Sequence, residues 1–215
     1  MNRLFCFGMG SCAEALGARL KANGWRVAGT SRSRERVKAL ADRGFEAFLF
    51  DAPLAEPAVA LAGTTHILVS TPPGVDGDPA LSRHVHHLSA LLPRPHWVGY
   101  LSTTGVYGDQ QGGWVDEATP VAPTSERAKR RVAAEHAWLA WGAAVVVPVH
   151  IFRLAGLYGP GQNQISAIRE GKARRIVKPG QVFSRIHVED VAHVLEASIA
   201  RPRAGALYNV CDDEP

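Results

Sequence analysis

The chain has 215 residues, 46% of them hydrophobic and 20% charged, with a formal net charge of +4. That is the balance of a soluble globular protein long enough for one sizeable core. The longest apolar run, Ala143 to Val149, is far too short to span a bilayer, and the glycine-interrupted start meets Glu14 and Arg19 where a signal peptide would need a cleavage site.

The first two dozen residues are the most informative. Arg3-Leu4-Phe5-Cys6-Phe7 reads as a buried strand, and Gly8-Met9-Gly10-Ser11-Cys12-Ala13 follows at once. Ala13, Leu16 and Leu20 then recur at helical spacing. This is a G-x-G-x-x-A fingerprint between a strand and a helix, the context that marks a dinucleotide site. Gly8 permits the tight turn, Gly10 lets backbone N–H groups approach a pyrophosphate, and small Ala13 lets helix and strand pack closely. Ser11 and Cys12 open the helix whose unpaired N–H groups and partial positive charge suit phosphate.

Strand-like and helix-like segments then alternate. Strands are expected at 3–7, 25–29, 46–50, 66–70, 97–102, 145–153 and 206–210, and helices at 11–22, 34–43, 80–92, 126–141 and 189–200. His66-Ile67-Leu68-Val69 and Val145-Val146-Val147 are nearly continuous apolar stretches, as doubly buried strands should be. The alternation predicts an α/β fold: a doubly wound parallel sheet, the Rossmann fold, with its ligand crevice at the carboxyl ends of the strands. The alanine-rich stretch around 52–62 reads as a compositional bias and not as a linker. A nucleotide-binding core over 1–155 is expected, followed over 156–215 by a partial substrate lobe and a returning core helix and strand.

The end of the second strand selects the nucleotide. NAD sites place an Asp or Glu there to accept from the ribose 2′-hydroxyl. Here the segment reads Val27-Ala28-Gly29-Thr30-Ser31-Arg32-Ser33-Arg34, with no carboxylate. Arg32, with Thr30 and Ser31 beside it, suits a 2′-phosphate through charge-assisted bonds of ~1.5–3 kcal/mol, roughly one to two orders of magnitude in affinity. NADP(H) is therefore the expected cofactor, with NAD(H) second.

Other features read more plainly. Arg127, Lys129, Arg130 and Arg131 form one basic cluster and Lys172, Arg174, Arg175 and Lys178 another, without interleaved aromatics, so a solvated helix face and a surface loop are expected and nucleic acid is not. Cys6, Cys12 and Cys211 lack metal-ligand spacing and fit reduced thiols in the cytoplasm. His84, His86 and His87 have no convincing further ligand. Leu81, Val85, Leu88 and Leu92 form that helix's apolar stripe, which sets the histidines on its polar edge, and no metal is expected.

Five later segments sharpen the reading. These are Leu101-Ser102-Thr103-Thr104-Gly105-Val106-Tyr107-Gly108; Asp116-Glu117 with Thr119-Pro120; Phe152-Arg153-Leu154-Ala155-Gly156-Leu157-Tyr158-Gly159-Pro160-Gly161; Ile186-His187-Val188-Glu189-Asp190-Val191-Ala192; and Tyr208-Asn209-Val210. In this order they resemble the extended short-chain dehydrogenase/reductase superfamily of NAD(P)-dependent epimerase/dehydratase type, in an atypical branch. The resemblance implies an oxidoreductase or epimerase acting on a small, sugar-like metabolite that bears a hydroxyl or carbonyl; the alternative is a nucleotide-binding regulatory or structural protein that has lost its chemistry. A small-molecule substrate is the implied partner, with no membrane or nucleic acid, and a homodimer is left open. Relatives of this kind continue beyond the segment where this sequence stops, so a shortened form or a missing remainder is expected.

The resemblance also assigns roles. Thr103 stands where the family's catalytic Ser/Thr stands, although Thr103, Ser102 or Thr104 could equally cap the turn. Asp51 matches the residue that reads the adenine. Ser70, Thr71 and Pro72 lie where the cofactor crosses the end of the fourth strand, and Ala155 follows the sixth. The family's Tyr-x-x-x-Lys is absent. One register puts Arg127 and Arg131 in the tyrosine and lysine positions, and a second puts Ser125 and Lys129 there. Arginine cannot act as a general acid near neutrality, but Arg127 could bind a carboxylate or stabilise an oxyanion. Tyr107 is the nearest remaining phenol, as a donor or as a packing residue. His187 is expected to be structural and Asp190 to cap the helix after it.

Overall fold

The computed structural model describes residues 1–50, 53–160, 164–171, 173 and 180–215. Strand β1 (Arg3–Phe7) is buried along its whole length and leads through the glycine turn into helix α1 (Ser11–Ala22). Cys12, Ala13, Leu16 and Leu20 form the buried face of α1, and Gly24, at φ +78°, turns the chain after it. There follow β2 (Arg26–Ser31), α2 (Arg34–Asp42), β3 (Glu46–Leu49), a one-turn helix α3 (Pro57–Leu61) and β4 (His66–Val69). Next come α4 (Pro79–Ser89), β5 (Trp97–Thr103), a 3₁₀ turn over Thr104–Tyr107 and the long α5 (Glu126–Val145). The chain continues through β6 (Val149–Leu154), β7 (Gly156–Tyr158), α6 (Gln164–Arg169) and β8 (Arg185–His187), and then α7 (Val188–Ala200) and β9 (Leu207–Val210).

Seven strands form one sheet in the order β3-β2-β1-β4-β5-β6-β9, and every pairing in it is parallel. This is the doubly wound, Rossmann-like sheet that the alternation predicts. β7 and β8 pair separately, also in parallel. Each face of the sheet carries its own apolar core. On one, Leu16, Leu20, Trp97, Phe152, Val191 and Leu195 join α1 and α7 to the strands. On the other, Phe5, Phe7, Leu88, Tyr100, Trp138 and Trp141 join α4 and α5 to them. Each fully buried Leu or Phe contributes ~1.5–3 kcal/mol, so the two layers dominate the stability. Across the first layer Arg19 pairs with Glu196, and the Trp97 indole donates to Ser198 Oγ at 3.0 Å.

Three local readings need correction, and one segment gains an element. Val145 ends α5 instead of starting a strand, because helix formation runs on through the alanine-rich Ala137–Ala144. Val146 caps that helix in the left-handed region (φ 57°) and is 86% exposed, and β6 begins only at Val149. The stretch around 52–62 contains α3, started by Pro57 at its first position. α4 begins at Pro79 and stops at Ser89, so Leu92 lies past its end, exposed, while His84 turns inward, stacks on Phe7 and accepts from Leu54 N–H. The cap of α7 is His187, whose Nδ1 accepts from Glu189 N–H; Asp190 sits in the first turn. Asp51, Gly161 and the cluster Lys172, Arg174, Arg175 and Lys178 lie outside the described residues.

Candidate functional site

The sheet order reverses between β1 and β4, and a ligand crevice opens at the carboxyl ends of the strands at such a point. Gly8 follows β1 there with φ +91°, a value that side-chain-bearing residues rarely adopt; a Cβ would also lie 2.8 Å from Ser70 Oγ. Its N–H donates to Thr30 Oγ1 at 2.8 Å, Met9 N–H donates to Thr30 O at 2.8 Å, and Ser70 Oγ donates to Gly8 O at 2.6 Å. Thr30 is fully buried. Thr30 and Ser70 therefore hold the turn in shape from β2 and β4.

Gly10 is the N-cap of α1, and no side-chain hydrogen bond caps that helix end among the described residues. A Cβ built on Gly10 meets nothing within 4 Å among the described residues. The first turn thus presents its backbone N–H groups, with their partial positive charge, to open space at the crevice. Cys12 and Ala13 point into the core and offer only backbone; burial pushes the Cys12 thiol up to about 11. On the facing side, Thr71 Oγ1 is buried with no hydrogen-bond partner among the described residues, and Pro72 is exposed. An uncapped helix start, a glycine with open space beside it and an orphaned hydroxyl fit a phosphate-bearing dinucleotide.

Basic residues crowd the end of β2 and the start of α2. Glu14, in the first turn of α1, holds Arg36 and Arg43 in ion pairs. Ser33 caps α2 by accepting from Arg36 N–H, and Ser31 is half-buried. Arg32 is exposed and makes no ion pair among the described residues. Ala155, after β6, is buried, and its N–H donates to Val210 O at 3.0 Å.

The carboxyl end of β5 supports the 3₁₀ turn. Thr103 Oγ1 accepts from Gly105 N–H at 3.1 Å, and the residue is half-buried. Thr103 therefore makes the cap, while Ser102 donates to the Glu135 carboxylate and Thr104 lies at 3.5 Å from Leu154 O. Tyr107 is 2% exposed. Its hydroxyl accepts from Arg153 Nη1 at 2.8 Å and faces Asn209 Oδ1 at 2.8 Å and Asp116 O at 3.0 Å. Arg153 also lies over the Tyr107 ring and pairs with Glu135 at 2.9 Å, both charges buried. Burial works against the Arg153 charge, but the hydrogen bonds to Glu135 and Tyr107 more than offset it and leave its pKa raised. The phenol sits inside a saturated network instead of facing the crevice.

The first basic cluster splits in two. Ser125 caps α5 by accepting from Ala128 N–H at 3.2 Å, and Lys129 pairs with Glu126 at 2.8 Å. Arg127 is exposed without an ion pair among the described residues. Arg131 turns inward instead: it is 8% exposed, its Nη1 donates to Leu101 O at 2.6 Å, and its guanidinium lies over the Tyr100 ring. The expected solvated face holds for Arg127 and Lys129 and fails for Arg131; Glu135, four residues on, is 1% exposed. Sequence reasoning had passed over the Glu135–Arg153 pair. Its signal was a charge in the apolar strand Ile151-Phe152-Arg153-Leu154 and another inside the helix facing it.

The model of the NAD dependent epimerase/dehydratase family matches residues 84–211. A conserved protein of unknown function from Silicibacter pomeroyi DSS is 49% identical and superposes with a TM-score of 0.90, covering 100% of this chain and 74% of that one. Protein YeeZ of Escherichia coli K12 is 29% identical over 98% of this chain and 78% of its own length. The dTDP-L-rhamnose 4-epimerase of Burkholderia thailandensis is 33% identical over 44% of this chain and 30% of its own.

Proposed function

The chain belongs to the NAD dependent epimerase/dehydratase family, and from that premise we propose that it is an NADP-dependent oxidoreductase or epimerase acting on a small hydroxyl- or carbonyl-bearing metabolite. The observation that carries this reading is the open space beside Gly10 at the uncapped start of α1. A nicotinamide dinucleotide would supply a carbon that accepts or gives hydride. Gly8, Gly10, Ser11 and the first turn of α1 would hold the pyrophosphate, Thr71 would close on it from the facing side, and Thr30 and Ser70 would keep the turn in place. Ser31 and Arg32 would take the 2′-phosphate, which gives the preference for NADP over NAD.

Thr103 is the residue that orients the reacting oxygen. Its hydroxyl has one proton and two lone pairs; one lone pair is committed to Gly105 N–H, which leaves the proton to donate to a substrate oxygen. Arg127, unpaired and exposed at one of the two tyrosine registers, steadies negative charge on that oxygen. It cannot deliver a proton near neutrality, so solvent supplies it. A positioned general acid is typically worth ~10²–10⁴-fold, and turnover is slow to that extent. A second reading, a nucleotide-binding regulatory protein, is favoured by one observation: the Tyr107 hydroxyl is fully engaged and neither register of α5 provides a phenol.

Calorimetric titration with NADP⁺ and NAD⁺, followed by stopped-flow NADPH oxidation against a metabolite panel that includes dTDP-sugars, separates the readings. Tighter NADP⁺ binding with turnover that falls in Thr103→Val supports the enzyme. NADP⁺ binding with no reacting panel member supports the regulator, and equal affinities for the two nucleotides refute the Arg32 assignment.

A further inference from the structure

The turn at the end of β2 leads into a helix with little core of its own. Within α2, Leu40 is buried, Val37 is half-buried and the other residues are exposed. So little apolar burial holds a short helix weakly, and polar ties then decide where its ends lie. The carboxyl end has several anchors. Leu40 packs in one core with Leu16 and Phe45, Lys21 Nζ donates to Arg43 O at 2.7 Å, and the Arg43 guanidinium lies over the Phe45 ring. At the amino end, next to Ser31 and Arg32, the residues Arg34, Glu35 and Arg36 are all exposed.

That amino end is tied to α1 by a short line of polar contacts. Glu14 is 9% exposed, and its N–H donates to Gly10 O at 2.9 Å, one helical turn past the glycine at the crevice. Its Oε1 pairs with Arg36 and its Oε2 with Arg43. The Arg36 main chain continues the line: its N–H donates to Ser33 Oγ at 3.3 Å, and Ser33 N lies 3.5 Å from Ser31 Oγ. Gly10, Glu14, Arg36, Ser33 and Ser31 are thus joined one to the next, with Arg32 between the last two. One carboxylate facing two guanidiniums leaves the trio net positive, so this anchor does not turn away an anion.

We propose that Glu14 and Arg36 are positioning residues for the 2′-phosphate. They fix the turn formed by Ser31, Arg32 and Ser33 against the start of α1, which sets the spacing between Arg32 and the pyrophosphate-binding end. The inference rests on the nucleotide reading above, and it concerns which dinucleotide is chosen, not whether one binds. Arg43 shares the carboxylate but holds the far end of α2, where other contacts already serve.

The test is calorimetric titration of the full chain with NADP⁺ and NAD⁺, read as the ratio of the two affinities, beside a thermal melt. Glu14→Met and Arg36→Met should each lower the NADP⁺ preference about 5-fold, the upper size of a partly exposed ion pair, through weaker NADP⁺ binding alone. The double variant should lose no more than the worse single one, because both remove the same tie. Arg36→Lys should recover part of the preference, and Ser33→Ala, which breaks the next link, should lower it again. Arg43→Met should lower the melting temperature and leave the ratio within about twofold. The sign at Glu14 decides between roles. Were Arg36 itself a phosphate ligand, or Glu14 only a repelling charge, Glu14→Met would tighten NADP⁺. That tightening, an unchanged ratio in Glu14→Met and Arg36→Met, or an equal loss in Arg43→Met overturns the positioning role. Wild type that binds neither nucleotide overturns the nucleotide reading, and wild type without an NADP⁺ preference overturns the Arg32 assignment. Either result removes this inference too, and both are read before any variant is made. Should Glu14→Met fail to fold, Arg36→Met, Arg36→Lys and Ser33→Ala, all at exposed positions, still decide.

Discussion

The two sides of the crevice are built differently. Along β1 and β4 the candidate site is made of backbone: a turn at φ +91°, a helix start without a cap and a glycine beside open space, with Thr30 and Ser70 bracing them. Along β5 and α5 it is made of side chains, and most of those turn away from the crevice. Tyr107, Arg131, Glu135 and Arg153 are all buried, each on partners inside the protein. A backbone site tolerates wide changes of sequence around it. A side-chain site changes with each rotamer, so the same fold can keep its nucleotide edge while its chemical edge drifts.

That contrast can be broken or sharpened by experiment, starting where the effect is largest. Glu135→Ala strands the Arg153 charge in the core and should cost ~3–5 kcal/mol of stability in urea unfolding; a loss below ~1 kcal/mol would mean that the network is not a structural anchor. Gly10→Val places its side chain in open space, so the melting temperature should stay within a few degrees of wild type. NADP⁺ affinity should nonetheless fall by ~100-fold or more, ~2.7 kcal/mol, as the phosphate loses its approach to the backbone. A folded Gly10→Val protein with unchanged affinity would remove the basis of the nucleotide edge.

The buried Asp78 carboxyl, which caps α4, adds a pH signature of its own. Its folded pKa of about 6 lies above the ordinary value of 3.8, so the native state holds this proton more tightly than the unfolded one. Its contribution to stability is complete below pH ~4 and is lost as pH rises through about 6, on the order of 2–3 kcal/mol. Subtracting the unfolding energies of Asp78→Asn from those of wild type between pH 4 and 7 should reveal that slope; a flat difference contradicts it. Next, Arg32→Ala should weaken NADP⁺ by ~10–100-fold and leave NAD⁺ unchanged in parallel titrations. The smallest effect is expected at Thr103→Val, which removes the cap on the 3₁₀ turn for ~1 kcal/mol in a thermal melt.

How far the sequence could be read follows the same division. The glycine fingerprint, the parallel sheet and α1 at its observed bounds were legible because period, turn residues and strand composition are local properties. The Val145–Val147 run misled because three valines suit a strand, while the alanines before them carry the helix onward. His84 misled because one face of α4 reads as apolar in sequence, yet Phe7 on β1 supplies an aromatic surface that only the fold brings there. At Arg127 and Arg131 the sequence offered two registers. Their separation into an exposed and a buried arginine depends on how α5 sits on Leu101 and Tyr100, which no spacing rule encodes.

The packing of α1 against α7 has a consequence for biosynthesis. The face of α1 bearing Leu16 and Leu20 is covered by Val191 and Leu195, and Arg19 is met by Glu196, 177 positions later. β9 likewise joins β6 only after more than fifty intervening residues. During vectorial synthesis α1 therefore leaves the ribosome long before its covering layer exists. At ~5–20 residues per second, that apolar face waits roughly ten to forty seconds for its partner. Chaperone capture of nascent chains, or early occupancy of the glycine turn by nucleotide, would act in that interval, before the sheet is closed.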